Sequence, residues 1–279
     1  DRFGRYPEGM WLPEMAVDQE TLTVLADHGI AYTVLSPNQG CQPPQEVDER
    51  PVPGRGIDTS APYFCSLPGG GDIAIFFHDA SIGLQVAFGD LLENGDRFAD
   101  RLLSASPLGG LVHFATDGET FGHHHRFGEM ALAWCLDRID TSAPETLTVY
   151  GEYLAGYPPK REAEIISRTS WSCPHGISRW HEGCSCDSGR HEGWSHEWRG
   201  PLHTAIRGLS STIHDIYSRE AALLFSDPRV ARDDSVRLFR TGAEGYIAAF
   251  FHDHATRLLS REEQDRALAL LELSRQGLA

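Results

Sequence analysis

The stretch Ile-Ala-Ile-Phe-Phe-His-Asp, residues 73–79, decides the fold class of this 279-residue chain. Its unbroken run of apolar residues is typical of a strand buried on both faces, which is the environment of parallel strands. A helical pattern occupies residues 82–104 and is interrupted near Asn94 and Gly95. Residues 73–104 therefore predict a strand that leads into a helix.

Similar segments lie on both sides of this unit. Ala31–Leu35 and Leu111–Ala115 are further apolar runs that predict buried strands, and helical patterns occupy residues 18–28 and 121–139. Residues 36–71 are rich in Pro, Gly, Gln and Asp, so they predict a long loop. Strands that alternate with helices predict an α/β fold with a parallel sheet or a barrel.

The second half of the chain has a different character. Residues 168–200 are dense in Trp, Cys, His and Gly and lack periodicity, whereas residues 197–226 and 235–276 have apolar residues at helical spacing. Ser260 and Glu263 have the spacing of a capping box. We predict three regions: an α/β part over 1–165, a Cys/Trp/His-rich loop region over 166–200 and a helical region over 201–279.

Composition and charge exclude several classes of protein. Apolar residues make up 41% and charged residues 23%, as in ordinary globular domains, and the net charge is −16. That charge would repel nucleic acid. No apolar run approaches the ~18 residues of a membrane span, and no signal peptide is visible. The six cysteines lack the even spacing of a secreted disulfide framework, so we expect a cytoplasmic protein.

Three acidic residues come directly after strand-like runs, namely Glu14, Asp79 and Asp117. Active sites of parallel α/β barrels lie at the carboxyl ends of the strands, where side chains from distant positions meet. A single acid in such a position can also cap the next helix. The functional hypothesis therefore depends on the set rather than on one residue.

Two motifs contain the first and last of these acids. GMWLPE (9–14) and TDGETFGHH (116–124) resemble two signature regions of glycoside hydrolase family 57, which includes α-amylases, 4-α-glucanotransferases and branching enzymes. Thr169-Ser170-Trp171 resembles the family's last signature. The resemblance covers about residues 1–172, and the remainder is similar to the helical part of an uncharacterised branch of the family.

The resemblance implies an incomplete (β/α)7-type parallel barrel followed by a helical region. It implies that Glu14 is the nucleophile and Asp117 the general acid/base of a retaining enzyme that hydrolyses or transglycosylates α-1,4-glucan or oligosaccharides, with no cofactor for catalysis. Such an enzyme needs its two carboxyl groups about 5–5.5 Å apart.

The same resemblance implies a set of substrate contacts. The position of His123 faces a sugar subsite, Trp171 supplies an aromatic wall, and Glu119 is a structural or substrate-orienting partner. We predict that the substrate-binding residues are Trp11, Asp79, Glu119, His123, His124 and Trp171. The family also begins with a His-Gln-Pro signature that this chain lacks, so we expect a missing N-terminal segment or a second chain to complete the barrel.

A second cluster has the composition of a metal site. Cys173, His175, Cys184 and Cys186 form a C-x-H…C-x-C set, and Cys and His are the ligands that zinc prefers. Zinc-binding pairs are usually separated by two to four residues, whereas one residue separates these. Structural zinc, a disulfide and unlinked thiols all remain open at this stage.

Two other functions compete with the glycosidase hypothesis. The first is a metal-dependent polysaccharide deacetylase-like hydrolase, with Asp79, Asp117 and one or more of His123–His125 around the metal. The second is a non-catalytic, glucan-binding barrel fragment. A common fold cannot decide among them, because one barrel supports many chemistries.

Overall fold

A computed structural model describes residues 4–43, 52–105, 110–142, 147–184, 186, 195–239 and 244–278. The chain divides into two compact units, Asp1–Arg179 and Trp180–Ala279. The first unit contains the strands β1 (Gly9–Met10), β2 (Tyr32–Leu35), β3 (Gly40–Cys41), β4 (Tyr63–Ser66), β5 (Asp72–Phe77), β6 (Arg161–Glu162) and β7 (Glu164–Ile165).

Five of these strands form one sheet in the order β1-β2-β5-β4-β6. Strands β1, β2 and β5 are parallel, whereas β4 is antiparallel to β5 and parallel to β6. Strands β3 and β7 form a separate antiparallel pair. The predicted α/β class and parallel strands are confirmed, within a mixed sheet. The (β/α)7 barrel stays a prediction.

The helices of the first unit are α1 (Gln19–Asp27), α2 (Ala80–Phe88), α3 (Gly95–Ala105), α4 (Gly128–Ser142) and α5 (Tyr150–Gly156). Asp18 caps α1 by accepting a hydrogen bond from Thr21 N at 2.8 Å, and Gly29, at φ +76°, lies just beyond its end. The predicted break at Asn94 and Gly95 separates α2 from α3. A single helical turn, α6 (Ser178–His181), comes later in the chain.

The core of the sheet is formed by the stretch that decides the fold. Residues 73–77 of β5 are all buried, as expected for a strand covered on both faces. Tyr63 and Leu35 pack in the same cluster with no exposed surface. A second cluster, which includes Ile82, Phe98 and Cys135, forms among α2, α3 and α4.

Three local predictions were wrong. Strand β4 lies within the predicted loop 36–71 and pairs with β5. Leu111–Ala115 is not a strand, because its backbone contacts are isolated ones: Leu111 N donates to Ser60 O, and His113 O accepts from Asp79 N. Helix α4 begins at Gly128 rather than Phe121, because a 3-10 turn (Gly118–Thr120) and Phe127, at φ +64°, precede it.

The described residues of the second unit form helices, as their periodicity predicts. These are α7 (Arg199–Ala221), α8 (Pro228–Asp234), α9 (Glu244–His254) and α10 (Arg261–Leu278). The predicted capping box is present, since Ser260 N donates to Glu263 Oε2 at 2.8 Å and Glu263 N donates to Ser260 Oγ at 3.3 Å. Phe225, Phe250 and Leu271 are buried in its core. No helix among the described residues combines the length and apolar character that a membrane crossing requires.

Candidate active site

Glu14 has an unusual backbone conformation. It lies in the 3-10 turn Pro13–Met15 that comes after β1, with φ 57° and ψ 15°, and Met15 has φ 47°. Residues other than glycine reach this left-handed region at an energetic cost, so it persists only where the surroundings enforce it. Here Met15 is fully buried and its N donates to Leu12 O at 2.8 Å. The strain presents the half-buried Glu14 side chain at the end of β1, which favours a functional role.

The Thr169-Ser170-Trp171 segment packs against this turn. Trp171 N donates to Glu14 O at 3.1 Å, and Ser172 Oγ donates to Glu14 Oε2 at 2.5 Å. Val17 N also donates to Thr169 O at 3.1 Å. The structure therefore brings together two of the three sequence motifs, and it holds one oxygen of the Glu14 carboxylate.

An aromatic wall lies beside Glu14. The Trp11 and Trp171 rings meet edge to face with centroids 5.3 Å apart, and Trp11 is 45% exposed. His78 contacts the same Trp171 ring, at a centroid distance of 6.1 Å. The exposed Trp11 ring, backed by the partly buried Trp171 ring, is a surface on which the C–H faces of a sugar can stack.

Asp117 lies at the start of its own short turn. Its carbonyl accepts from Thr120 N at 3.1 Å, while its side chain is exposed and makes no capping hydrogen bond. Thr120 is buried, and its hydroxyl lies 2.8 Å from that of Thr116. The turn is anchored by these threonines, which leaves the Asp117 carboxyl group available to solvent.

Asp79 makes the helix cap that is the alternative to substrate binding. Its Oδ1 accepts from Ser81 N at 2.8 Å and from Ile82 N at 3.1 Å at the start of α2. A contact from Asp79 to substrate stays a prediction.

The three consecutive histidines have different surroundings. His123 and His124 are exposed, with ring centroids 4.9 Å apart, and their amides donate to Glu119 O. His125 Nε2 instead lies 2.8 Å from Ala87 O on α2, so His125 has a structural contact. Substrate contacts of Glu119, His123 and His124 stay predictions.

Two residues of this site were missed at the level of sequence. Ser172 is adjacent to the Thr-Ser-Trp motif, which is the only signal that could have drawn attention to it. His78 is 4% exposed, and neither of its ring nitrogens has a hydrogen-bond partner in the part of the chain that the structure describes. Burial lowers the pKa of His78, so its neutral form is favoured.

Two of the four predicted metal ligands lie close together in the first unit, since Cys173 Sγ and His175 Nδ1 are 3.9 Å apart. Metal binding by Cys173, His175, Cys184 and Cys186 stays a prediction. Among the described residues, Asp79, Asp117 and His123–His125 do not converge as a ligand set. The deacetylase-like hypothesis therefore has no geometric support.

Comparison with known families identifies the first part of the chain. The sequence profile of glycosyl hydrolase family 57 matches residues 1–165, more than half of the chain. The chain belongs to glycosyl hydrolase family 57. In this family 57 chain, the matched range contains both Glu14 and Asp117. A second profile, a domain of unknown function (DUF3536), matches residues 194–279. A search of curated protein sequences found no match.

Solved structures of similar fold include family 57 enzymes. An exo-type maltose-forming amylase from Pyrococcus sp. ST04 aligns with a TM-score of 0.67 at 15% identity, covering 97% of this chain and 50% of that one. A branching enzyme from Thermococcus kodakaraensis aligns with a TM-score of 0.52 at 18% identity, covering 76% and 48%. One from Pyrococcus horikoshii gives 0.51 at 20%, covering 75% and 47%. The family 57 chain thus spans about half the length of these enzymes, and the likeness is one of fold.

Proposed function

We propose that this chain carries the catalytic residues of a retaining enzyme that hydrolyses or transglycosylates α-1,4-glucan, with Glu14 as nucleophile and Asp117 as general acid/base. The observation that carries the proposal is the Glu14 site itself. A strained, half-buried carboxylate accepts a hydrogen bond from Ser172 beside the Trp11–Trp171 pair. Membership of glycosyl hydrolase family 57 supports the assignment of both acids.

The proposed reaction has two steps. Glu14 attacks the anomeric carbon and forms a glycosyl-enzyme, while Asp117 gives its proton to the departing glycosidic oxygen. Asp117 then removes a proton from the acceptor, which displaces Glu14 and restores the original anomeric configuration. Ser172 orients the Glu14 carboxylate through Oε2, which leaves Oε1 for attack.

The acceptor decides whether the outcome is hydrolysis or transfer. Water gives hydrolysis, whereas a second sugar gives a transglycosylation product. Similar structures include a maltose-forming amylase and branching enzymes, so related folds serve both outcomes. The products that this chain forms from maltoheptaose will show which acceptor it uses.

The nucleophile is tested by substitution and chemical rescue. Glu14→Gln should lower kcat/KM on maltoheptaose by roughly 10³-fold or more, about 4 kcal/mol of transition-state stabilisation. Glu20→Gln, an exposed acid on α1, is the matched control and should be unchanged. With azide and an activated maltosyl donor, Glu14→Ala should form the glycosyl azide of inverted configuration, because only one displacement occurs.

The acid/base is tested in the same assay. Asp117→Asn should lose about 10²–10⁴-fold on maltoheptaose but much less on a donor whose leaving group needs no proton. Asp117→Ala with azide should form the retained anomer, since Glu14 still reacts first. Asp72→Asn, at the exposed start of β5, is the control.

Two results would overturn the proposal. Full turnover by Glu14→Gln would show that Glu14 is not the nucleophile. Binding of maltoheptaose by the wild-type chain without any turnover would favour the non-catalytic, glucan-binding alternative.

A further inference from the structure

We propose that Gln39 is a positioning residue of the Glu14 site, and this inference rests on the proposed function. Gln39 ends the short 3-10 turn Pro37–Gln39 that comes after β2, and it is 1% exposed. Its side-chain amide joins the strained turn at Glu14 to the segment that contains Trp171. No step of the proposed reaction uses Gln39, and it lies outside the sequence motifs.

The amide group of Gln39 makes three hydrogen bonds. Its Nε2 donates to Met15 O at 2.6 Å and to Thr169 Oγ1 at 3.3 Å, while its Oε1 accepts from Ser36 N at 3.0 Å. These neighbours fix the orientation of the amide, because Met15 O can only accept and Ser36 N can only donate. Both N–H groups of the amide are therefore engaged at the site.

The segment before Trp171 holds Gln39 in place. Thr169 Oγ1 donates its own proton to Ile166 O at 2.6 Å, so it is an acceptor toward Gln39. Ile166 N in turn donates to Gln39 O at 2.8 Å. Gln39 is thus held through its backbone as well as its side chain, which makes it a rigid support for what it contacts.

The contact with Met15 acts on the strained part of the site. Glu14 and Met15 both have left-handed backbones, and such conformations persist only where the surroundings enforce them. The carbonyl of each accepts a hydrogen bond from outside the turn. Glu14 O accepts from Trp171 N at 3.1 Å, and Met15 O accepts from Gln39 Nε2.

Loss of the Gln39 donor would leave the carbonyl of the fully buried Met15 unpaired. The turn could then relax toward an ordinary backbone conformation, and the Glu14 carboxylate would move with it. A nucleophile that is displaced by about 1 Å can lose roughly 100-fold in rate. Gln39 therefore acts on the reaction through Glu14 rather than by contact with the sugar.

Gln39→Met tests this inference, because it removes the amide and keeps a side chain of similar length. With an activated maltosyl donor, we expect kcat/KM to fall by roughly 10–100-fold, mostly through kcat. Gln42→Met is the matched control and should be unchanged. Gln42 also uses its Nε2 in a hydrogen bond, but this bond goes to Gly56 O, away from the Glu14 turn.

The azide reaction shows whether Gln39 acts through Glu14. In Glu14→Ala, azide replaces the carboxylate as nucleophile, so residue 14 has no reacting group to position. Adding Gln39→Met to Glu14→Ala should therefore lower the rate of glycosyl azide formation by less than about threefold. A residue that only supports folding would lower the azide reaction and the wild-type reaction by the same factor.

Gln39→Glu is a second variant that preserves the size of the side chain, and it serves where Gln39→Met does not fold. Its ionised carboxylate has no proton to donate to Met15 O, whereas its protonated form has one. Burial favours the protonated form. The ratio of variant to wild-type kcat/KM should therefore be low at about pH 7 and rise as the pH falls to about 5.

The outcomes separate this inference from the proposed function. If Glu14→Ala forms glycosyl azide but Gln39→Met slows that reaction as much as the wild-type reaction, Gln39 does not act through Glu14. Wild-type activity of Gln39→Glu at neutral pH would also overturn the inference. If Glu14→Ala forms no glycosyl azide while the wild type consumes the donor, the assignment of the nucleophile fails, and the role of Gln39 fails with it.

Discussion

At the scale of single residues, sequence motifs identify some members of the candidate site, and only the structure identifies the others. Glu14 and Trp171 lie in recognisable motifs, so sequence identifies them. Ser172 could not be identified in this way, because its contact with Glu14 joins positions 158 residues apart. His78 was also missed, since a buried imidazole without a partner looks like any other histidine in a sequence.

Ser172 offers a direct test of how Glu14 is oriented. Ser172→Ala removes the donor to Glu14 Oε2, and a hydrogen bond to a charged group contributes about 1.5–3 kcal/mol. We expect kcat/KM on maltoheptaose to fall by on the order of 10–100-fold, mostly through kcat. Ser172→Thr keeps a hydroxyl and should recover part of the activity.

The control for this change is Ser104→Ala on α3. Its hydroxyl is also exposed and donates to Arg101 O at 3.1 Å. If Ser172→Ala and Ser104→Ala have equal activity to the wild type, the hydroxyl of Ser172 does not position the nucleophile.

At the scale of elements, predictions succeeded where the signal is local. The N-cap of α1, the buried run of β5 and the capping box of α10 each depend on neighbouring residues, and each is present. Strand β4 was missed because its short Tyr63–Ser66 run lies in Pro- and Gly-rich surroundings and gains its identity from pairing with β5. Leu111–Ala115 shows the converse, since an apolar run without a paired neighbour does not form a strand.

The contact between α2 and the segment that leads to Asp117 can be tested through one glycine. A Cβ at Gly83 would lie 2.7 Å from Ala115 O, a backbone atom two residues before Asp117. Gly83→Ala should push this segment away, lowering the free energy of unfolding by about 1–3 kcal/mol and also lowering kcat. Urea denaturation and the maltoheptaose assay measure the two effects.

The same substitution elsewhere should have the opposite effect on stability. Gly208 lies inside α7, and a Cβ there would meet nothing within 4 Å. Gly208→Ala should therefore raise the free energy of unfolding by about 0.5–1 kcal/mol. If both variants shift the free energy of unfolding in the same direction, the close approach of Ala115 O is not the reason that residue 83 must be glycine.

At the scale of the whole molecule, charge and buried histidines make separate contributions. The net charge of −16 does not oppose a neutral glucan, so it is compatible with the proposed substrate. In the first unit, burial lowers the pKa of both His78 and His113, and that of His113 falls to about 4. The contacts of His113 suit a neutral imidazole, which has one donor and one acceptor nitrogen. Its Nε2 lies 3.0 Å from Thr59 O, and its Nδ1 lies 2.9 Å from the Tyr150 hydroxyl.

This burial predicts a loss of stability in mild acid. The unfolded chain takes up the His113 proton near its ordinary pKa of 6.5, whereas the folded chain does so only at about 4. The buried, neutral His113 therefore leaves the free energy of unfolding undiminished above pH 6.5. As the pH falls from 6.5 to about 4, the free energy of unfolding decreases progressively, by about 3 kcal/mol in total. His78 acts in the same direction. Asp58 acts mainly at lower pH, because its hydrogen bond from Ser60 lowers its pKa from 3.8 to about 2, and the stability that this adds is lost as the pH falls from 3.8 to about 2.

Urea denaturation between pH 7 and about 4 measures this loss. His113→Gln should flatten the decline, because it removes the group that takes up a proton on unfolding. His252→Gln, whose side chain is 87% exposed, is the control and should keep the wild-type slope. A His113→Gln chain that loses stability as steeply as the wild type would show that the buried histidine does not set the acid sensitivity of the first unit.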